Sequence, residues 1–171
     1  MTQLRSAGEA DFPAILALNE DSVHFLSEMD ASRLALLHSQ SAWHRVALDD
    51  TGAVIAFLLA FREGSPYDSV NYRWFAQRYE RFLYIDRVVV AASDRGRGVG
   101  EALYRDAFAH AASSGVPQVT CEFDIEPRND ASGRFHAKFG FQEVGRQAVP
   151  YAPKLVAMQA ACVPTKSRGT C

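Results

Sequence analysis

The sequence predicts an α/β fold, and three observations carry that reading. A β-branched run, Val88 to Val90, ends in a polar turn where Gly96, Gly98 and Gly100 alternate with other residues. An amphipathic stretch follows from Val99 to His110, with Leu103, Ala107 and Phe108 at helical spacing. After Gly115 and Pro117 end that helix, the chain returns to an apolar run from Gln118 to Phe123. Strand, loop, helix and strand in succession require a right-handed crossover, and hence a parallel strand pair.

The remaining elements flank this unit. Leu4 and Arg5 belong to a short first strand. Phe12, Ile15, Leu16 and Leu18 repeat at helical spacing within Glu9 to Asn19, with Pro13 in the first turn. Ser27 to Ser32 reads as a turn, and Ser32 to Ser39 as a second helix. Trp43 to Leu48 and Ala53 to Arg62 read as strands joined by the tight turn Asp49 to Gly52. Phe82 to Val90 leads into the glycine turn, and Phe141 to Val149 and Leu155 to Val163 form a closing pair of strands. The segment Glu63 to Arg81 is long for a connection inside a compact domain, and it carries Tyr67, Tyr72, Trp74, Phe75 and Tyr79. It reads as an aromatic wall for an acceptor pocket or as a surface helix from Tyr72 to Arg81 packed on the core.

Composition sets the boundaries. A chain of 171 residues, 48% of them hydrophobic, fits one domain, taken as residues 1–163, with 164–171 as a flexible tail. A formal net charge of −2 gives no general affinity for nucleic acid or anionic membrane. No apolar run approaches membrane-spanning length, and Met1 to Ser6 lacks the apolar core of a secretory signal, so a cytoplasmic location is expected. Three cysteines without a C-x-x-C pair argue against a disulfide scaffold or a zinc site. Cys121, in an apolar strand, reads as a core residue, and His24, His38 and His44 lack metal-ligand spacing, so no metal is expected. No G-x-S-x-G elbow is present, which counts against a hydrolase.

The glycine turn reads as a diphosphate cradle. A helix N-terminus offers unpaired N–H groups and the positive end of the helix dipole. Glycines let a phosphate approach the backbone, and Arg95 and Arg97 add charge. The spacing excludes the Walker form, since no Lys-Ser or Lys-Thr pair directly follows, and the G-x-G-x-x-G fingerprint, since the third glycine comes too early.

Arg95-Gly96-Arg97-Gly98-Val99-Gly100 resembles the R/Q-x-x-G-x-G/A loop of the GNAT superfamily, the acyl-coenzyme A-dependent N-acyltransferases. A second segment, Asn129 to Phe141, resembles that family's N-x-x-A/S-x-x-F-Y-x-K-x-G-F pattern at Asn129, Ser132, Phe135, Lys138, Gly140 and Phe141. Together the two motifs cover the chain from Tyr84 to about Val149. The resemblance implies a mixed sheet of six or seven strands with flanking helices, whose two central parallel strands splay apart to admit an acyl thioester. It also implies acetyl-CoA as cosubstrate.

On that resemblance, the loop from Arg95 to Gly100 holds the coenzyme pyrophosphate. The pantetheine arm runs along Val88, Val89 and Val90, and a backbone N–H near Val88 polarises the thioester carbonyl. Asn129 and Phe135 match positions lining the coenzyme arm, or serve only as helix cap and core. His136 replaces the family's usual Tyr, the residue placed to protonate the departing thiolate; a histidine can donate that proton, or can be a hydrogen-bonded core residue. Asp86 is the first candidate base, then Glu122, then Glu126, with a surface charge or an ion pair with Arg87 or Arg128 as the alternative. His24 and Phe25 follow the first helix, where relatives form part of the acceptor wall, and Tyr72 and Trp74 are further acceptor candidates.

The expected activity is transfer of an acetyl group to a primary amine of a small molecule, amino acid or peptide. The alternatives are an acyl-CoA-binding sensor of the same fold and, more weakly, an O-acyltransferase. An edge strand or the aromatic segment leaves room for a homodimer.

Overall fold

The computed structural model describes residues 2–22, 28–150 and 153–164. Seven strands form one mixed sheet in the order β1-β2-β3-β4-β5-β7-β6. They are β1 (Gln3–Ser6), β2 (Trp43–Leu48), β3 (Val54–Arg62), β4 (Leu83–Val90), β5 (Gln118–Glu126), β6 (Gln142–Val149) and β7 (Lys154–Cys162). The helices are α1 (Phe12–Glu20), α2 (Ala31–Gln40), α3 (Val70–Ala76), α4 (Val99–Ser113) and α5 (Asp130–Ala137). This is the predicted α/β fold, with the upper of the two expected strand counts.

The parallel pair is β4 with β5, joined through α4. Its register covers only Leu83 with Val119 and Tyr84 with Thr120, although the strands run on to Val90 and Glu126.

The chain divides into two compact units, residues 1–61 with 85–107 and residues 62–84 with 108–171. The first holds the antiparallel strands β1, β2 and β3. Residues 55–61 of β3 are all buried, which explains the run Ile55 to Phe61 with no polar alternation. Asp49 closes the β2–β3 turn: its Oδ1 accepts from the backbone N–H of Thr51 and Ala53, and Gly52 takes the left-handed φ of +86°. Ile15, Leu18, Leu34, Val46, Leu48, Phe57 and Val89 form a core cluster under α1 and α2. Asp30 caps α2 by accepting from the N–H of Arg33.

The second unit holds the antiparallel β5–β7 and β7–β6 pairs. β6 is the sheet edge and is largely exposed, while β7 is mostly buried. The aromatic segment contains a helix, as one of the two sequence readings held, but it spans Val70–Ala76 rather than Tyr72 to Arg81. Ser69 caps it and moves its start upstream. Phe75 is fully buried and Tyr72 is 2% exposed, so much of this segment is core. Cys121 is a buried free thiol, as expected, whereas Cys162 is disulfide-bonded. Among the described residues no helix is long and apolar enough to cross a membrane.

Candidate active site

In the first unit, β4 delivers the chain to the glycine turn. Val89 is in the core, whereas Asp86, Val88 and Val90 alternate with it on a half-buried face. The Asp86 carboxylate accepts from Arg87 Nε at 2.6 Å, with both side chains at most 6% exposed. Arg87 also donates to Asn19 Oδ1 at 2.8 Å. The ion pair with Arg87 that the sequence reading gave as the alternative for Asp86 is present.

Beyond Val90, Gly96 and Gly98 have φ of +76° and +82°, the left-handed region that favours glycine. A Cβ at either would meet nothing within 4 Å. Helix α4 starts at Val99, and the N–H of Ala102 bonds to the Gly98 carbonyl at 2.9 Å. The N–H groups of Val99, Gly100 and Glu101 therefore precede the helical ladder. Arg95 and Arg97 are exposed; Arg95 reaches the Val90 carbonyl, and Arg97 pairs with the buried Asp94. A cavity of about 290 Å³ lies beside the turn, lined by Leu18, Asp21, Ser22, Val90, Ala92 and Arg95 among others.

In the second unit, Glu122 on β5 is the best-connected candidate. Its Oε1 accepts from the Tyr84 hydroxyl at 2.8 Å and from Asn71 Nδ2 at 2.9 Å. Tyr84 is fully buried, Asn71 nearly so, and Glu122 half-buried. Two donors on one carboxylate oxygen fix its rotamer and favour its anion. The neighbouring acid Asp124 is paired with Lys154 at 2.8 Å, and Glu126 is exposed.

His136 lies inside the second unit, 5% exposed, with its ring near Phe123, Phe135 and Phe141. Its Nδ1 is 2.9 Å from Gln159 Oε1 and 3.7 Å from Cys121 Sγ. Burial pushes its pKa down to about 4, against a smaller upward pull from Gln159, so it is neutral near pH 7. The same burial, with a lesser push from Glu122, raises the Cys121 thiol well above its ordinary value. Asn129 caps α5, accepting from the Ser132 N–H at 3.2 Å, and Phe135 is half-buried on that helix.

The acceptor candidates separate. His24 and Phe25 lie outside the described residues. The Tyr72 hydroxyl donates to the Arg62 carbonyl at 2.7 Å and accepts from the Ser65 N–H at 2.9 Å, which ties it into its own loop. Trp74 is half-buried over Gly145, with the Arg78 guanidinium 3.7 Å from its ring.

Sequence reasoning missed Asn71, Tyr84 and Gln147, whose Nε2 donates to Asn71 Oδ1 at 2.7 Å. Tyr84 was findable, because counting by two along β4 puts it with Asp86, Val88 and Val90. Asn71 sits in an unpatterned stretch, and Gln147 reads as an ordinary polar residue of an edge strand.

The family model described as "Acetyltransferase (GNAT) family" matches residues 10–141. The chain belongs to the GNAT acetyltransferase family. The solved structures it is similar to include Ard1 from Thermoplasma volcanium, with a TM-score of 0.78, 18% identity, and 95% of this chain and 98% of that one covered. A GNAT superfamily phosphinothricin acetyltransferase from Sinorhizobium meliloti, in complex with AcCoA, has a TM-score of 0.74 at 20% identity, covering 99% and 91%. The ribosomal-protein-S18-alanine N-acetyltransferase from Escherichia coli has a TM-score of 0.73 at 12% identity, covering 99% of each chain. No curated protein matches by sequence.

The residues of this GNAT chain fit a diphosphate. The turn combines glycines whose absent Cβ atoms leave open space, amides ahead of a helical ladder, and two exposed guanidinium groups. Among the described residues, no three His, Cys, Asp or Glu side chains cluster as a metal site.

Proposed function

We propose that residues 1–163 form one catalytic domain that transfers the acetyl group of acetyl-CoA directly to a primary amine of a small molecule, amino acid or peptide. The observation that carries this reading is the glycine turn at the start of α4, with Gly96 and Gly98 in left-handed conformation and room within 4 Å of where a Cβ would stand on either. Its amides and arginines hold the diphosphate, while Val88 and Val90 present backbone to the pantetheine arm, and a β4 N–H polarises the thioester carbonyl. Asn129 and Phe135 flank the coenzyme arm. Trp74, Tyr72, His24 and Phe25 belong to the acceptor side.

Glu122 is the proton acceptor in this reading. It is held by two donors and half-buried, whereas Asp86 is neutralised by Arg87. A carboxylate there favours a cationic acceptor; the ammonium first gives up one proton to bulk water, which frees its lone pair, and Glu122 takes the second proton as nitrogen attacks. The amine nitrogen forms a bond to the carbonyl carbon, the carbon–sulfur bond breaks, and the proton lost by nitrogen is balanced by one gained by sulfur. Water supplies that last proton, because His136 is neutral and packed among aromatic rings.

The burial of His136 also favours a second reading, a coenzyme-binding sensor without turnover. Thiol release from acetyl-CoA, followed with a thiol-reactive dye across a panel of amines, separates the two. Release with one amine class supports the transferase. Coenzyme binding with no release from any amine or hydroxyl acceptor supports the sensor. A cytoplasmic setting and a homodimer are further expectations of this reading.

A further inference from the structure

Three polar side chains from three other elements converge on Glu122 in a directed order. Gln147 on β6 donates from Nε2 to Oδ1 of Asn71 at 2.7 Å. Asn71 on α3 donates from Nδ2 to Oε1 of Glu122 at 2.9 Å, and Tyr84 on β4 donates to the same oxygen at 2.8 Å. Asn71 is only 6% exposed. An amide at such a position must be satisfied at both ends, and an apolar side chain would fill the space without that demand. Here its oxygen is satisfied by Gln147 and its nitrogen by Glu122. The carboxylate, which only accepts, sets the direction of the amide, and Gln147, which can donate, satisfies the oxygen that this leaves on the far side.

The geometry points to Asn71 as a positioning residue for Glu122 in acyl transfer, with Gln147 as the second anchor of its amide. This rests on Glu122 acting as the proton acceptor. Asn71 touches no reacting atom; it acts by fixing where the carboxylate stands and by favouring its charged form.

The test is a double-mutant cycle with a second, acceptor-free readout. In Asn71→Leu, turnover of the amine falls about ten- to a hundredfold while the KM for acetyl-CoA is unchanged. In a Glu122→Gln background the same substitution has no further effect, because its target is gone. Gln147→Glu, which turns an oxygen toward Oδ1 and forces the Asn71 amide to flip, also lowers turnover. A drop for Asn71→Leu that is equal in both backgrounds marks a merely structural role and overturns the inference.

The second readout is the 13C NMR titration of the Glu122 carboxyl, assigned by its loss in Glu122→Gln. Its midpoint rises in Asn71→Leu relative to the unaltered chain; an unmoved midpoint overturns the inference. The titratable neighbours, the Tyr84 phenol on β4 and the Cys121 thiol on β5, are the same in both proteins. Full turnover in Glu122→Gln would sink both the proton-acceptor role and this inference. A crippled Glu122→Gln beside an unaffected Asn71→Leu would sink the inference alone.

Discussion

The Tyr84 hydroxyl donates to Glu122 Oε1 at 2.8 Å, two residues past Thr120, where the registered β4–β5 ladder ends. A side-chain bond thus continues a link between the two strands after their backbone pairing has stopped. It holds a carboxylate between Thr120 and Asp124, the buried polar residues two positions to either side on β5.

Replacing that carboxylate separates charge from shape. Glu122→Gln keeps an oxygen that can accept from Tyr84 and Asn71, so the fold survives. Its kcat/KM for the amine falls roughly 10²- to 10⁴-fold. Steady-state thiol release read beside thermal melting checks this, and an equal loss of melting temperature and activity would assign Glu122 to the core instead.

His136→Phe removes a ring that is neutral near pH 7 and packed against Phe123, Phe135 and Phe141. Because water rather than the imidazole supplies the thiol proton in this account, kcat stays within about threefold once folded protein is compared with folded protein. A loss of a hundredfold in kcat with unchanged stability would restore a catalytic His136.

Acid sensitivity follows from two buried histidines. His136 and His44 both have pKa values pushed down to about 4, in each case mainly by burial, with His38 adding to the effect on His44. The unfolded chain binds those protons near pH 6.5, so it holds more protons than the native state between pH 6.5 and 4. Stability is complete above that window and falls as pH drops through it, by about 1.4 kcal/mol per pH unit for each histidine, or on the order of 3 kcal/mol each by pH 4. Urea midpoints measured from pH 7.5 to 4 check the slope, and in His136→Phe it is shallower by one histidine's share.

Gly145 and Trp74 offer a test of the acceptor wall. A Cβ on Gly145 would stand 2.5 Å from Trp74 Cζ2 and 2.9 Å from Cη2, so Gly145→Ala forces the indole to move. The cost is about 1–3 kcal/mol, seen as a lower melting temperature and a shifted tryptophan emission. If Trp74 walls the acceptor, the KM for the amine rises in the same variant while that for acetyl-CoA holds. An unchanged amine KM despite a displaced ring would leave Trp74 with a packing role only.

The strand, glycine turn and helix proposed to hold the coenzyme were legible in the sequence because they are contiguous. The β-branched run, the alternating glycines of Gly96 to Gly100 and the amphipathic helix from Val99 form one stretch of chain, and backbone geometry follows from residue type there. That the surrounding sheet is mixed and has six or seven strands was what the family resemblance implied; the order of its strands was not legible. The polar cluster at Glu122 was only partly legible. Its members come from α3, β4, β5 and β6, and nothing in a single sequence ties Asn71 to Gln147. Period-two counting puts Asp86 on the strand face but does not show that Arg87 folds back onto its neighbour. The bonds that tie the Tyr72 hydroxyl to Arg62 and Ser65 were not legible either, since they depend on the path of the loop.

The diphosphate grip is the claim on which the rest stands, and calorimetry tests it most directly. Coenzyme A and pantetheine, which lacks the diphosphate, are titrated into the unaltered chain and into Gly98→Asp, which sets a carboxylate into the open space before the turn. The account predicts that coenzyme A binds the unaltered chain at least about a hundredfold more tightly than pantetheine, and that Gly98→Asp abolishes the difference without unfolding the protein. Equal affinity for the two ligands, or a coenzyme A affinity that survives Gly98→Asp, would contradict it.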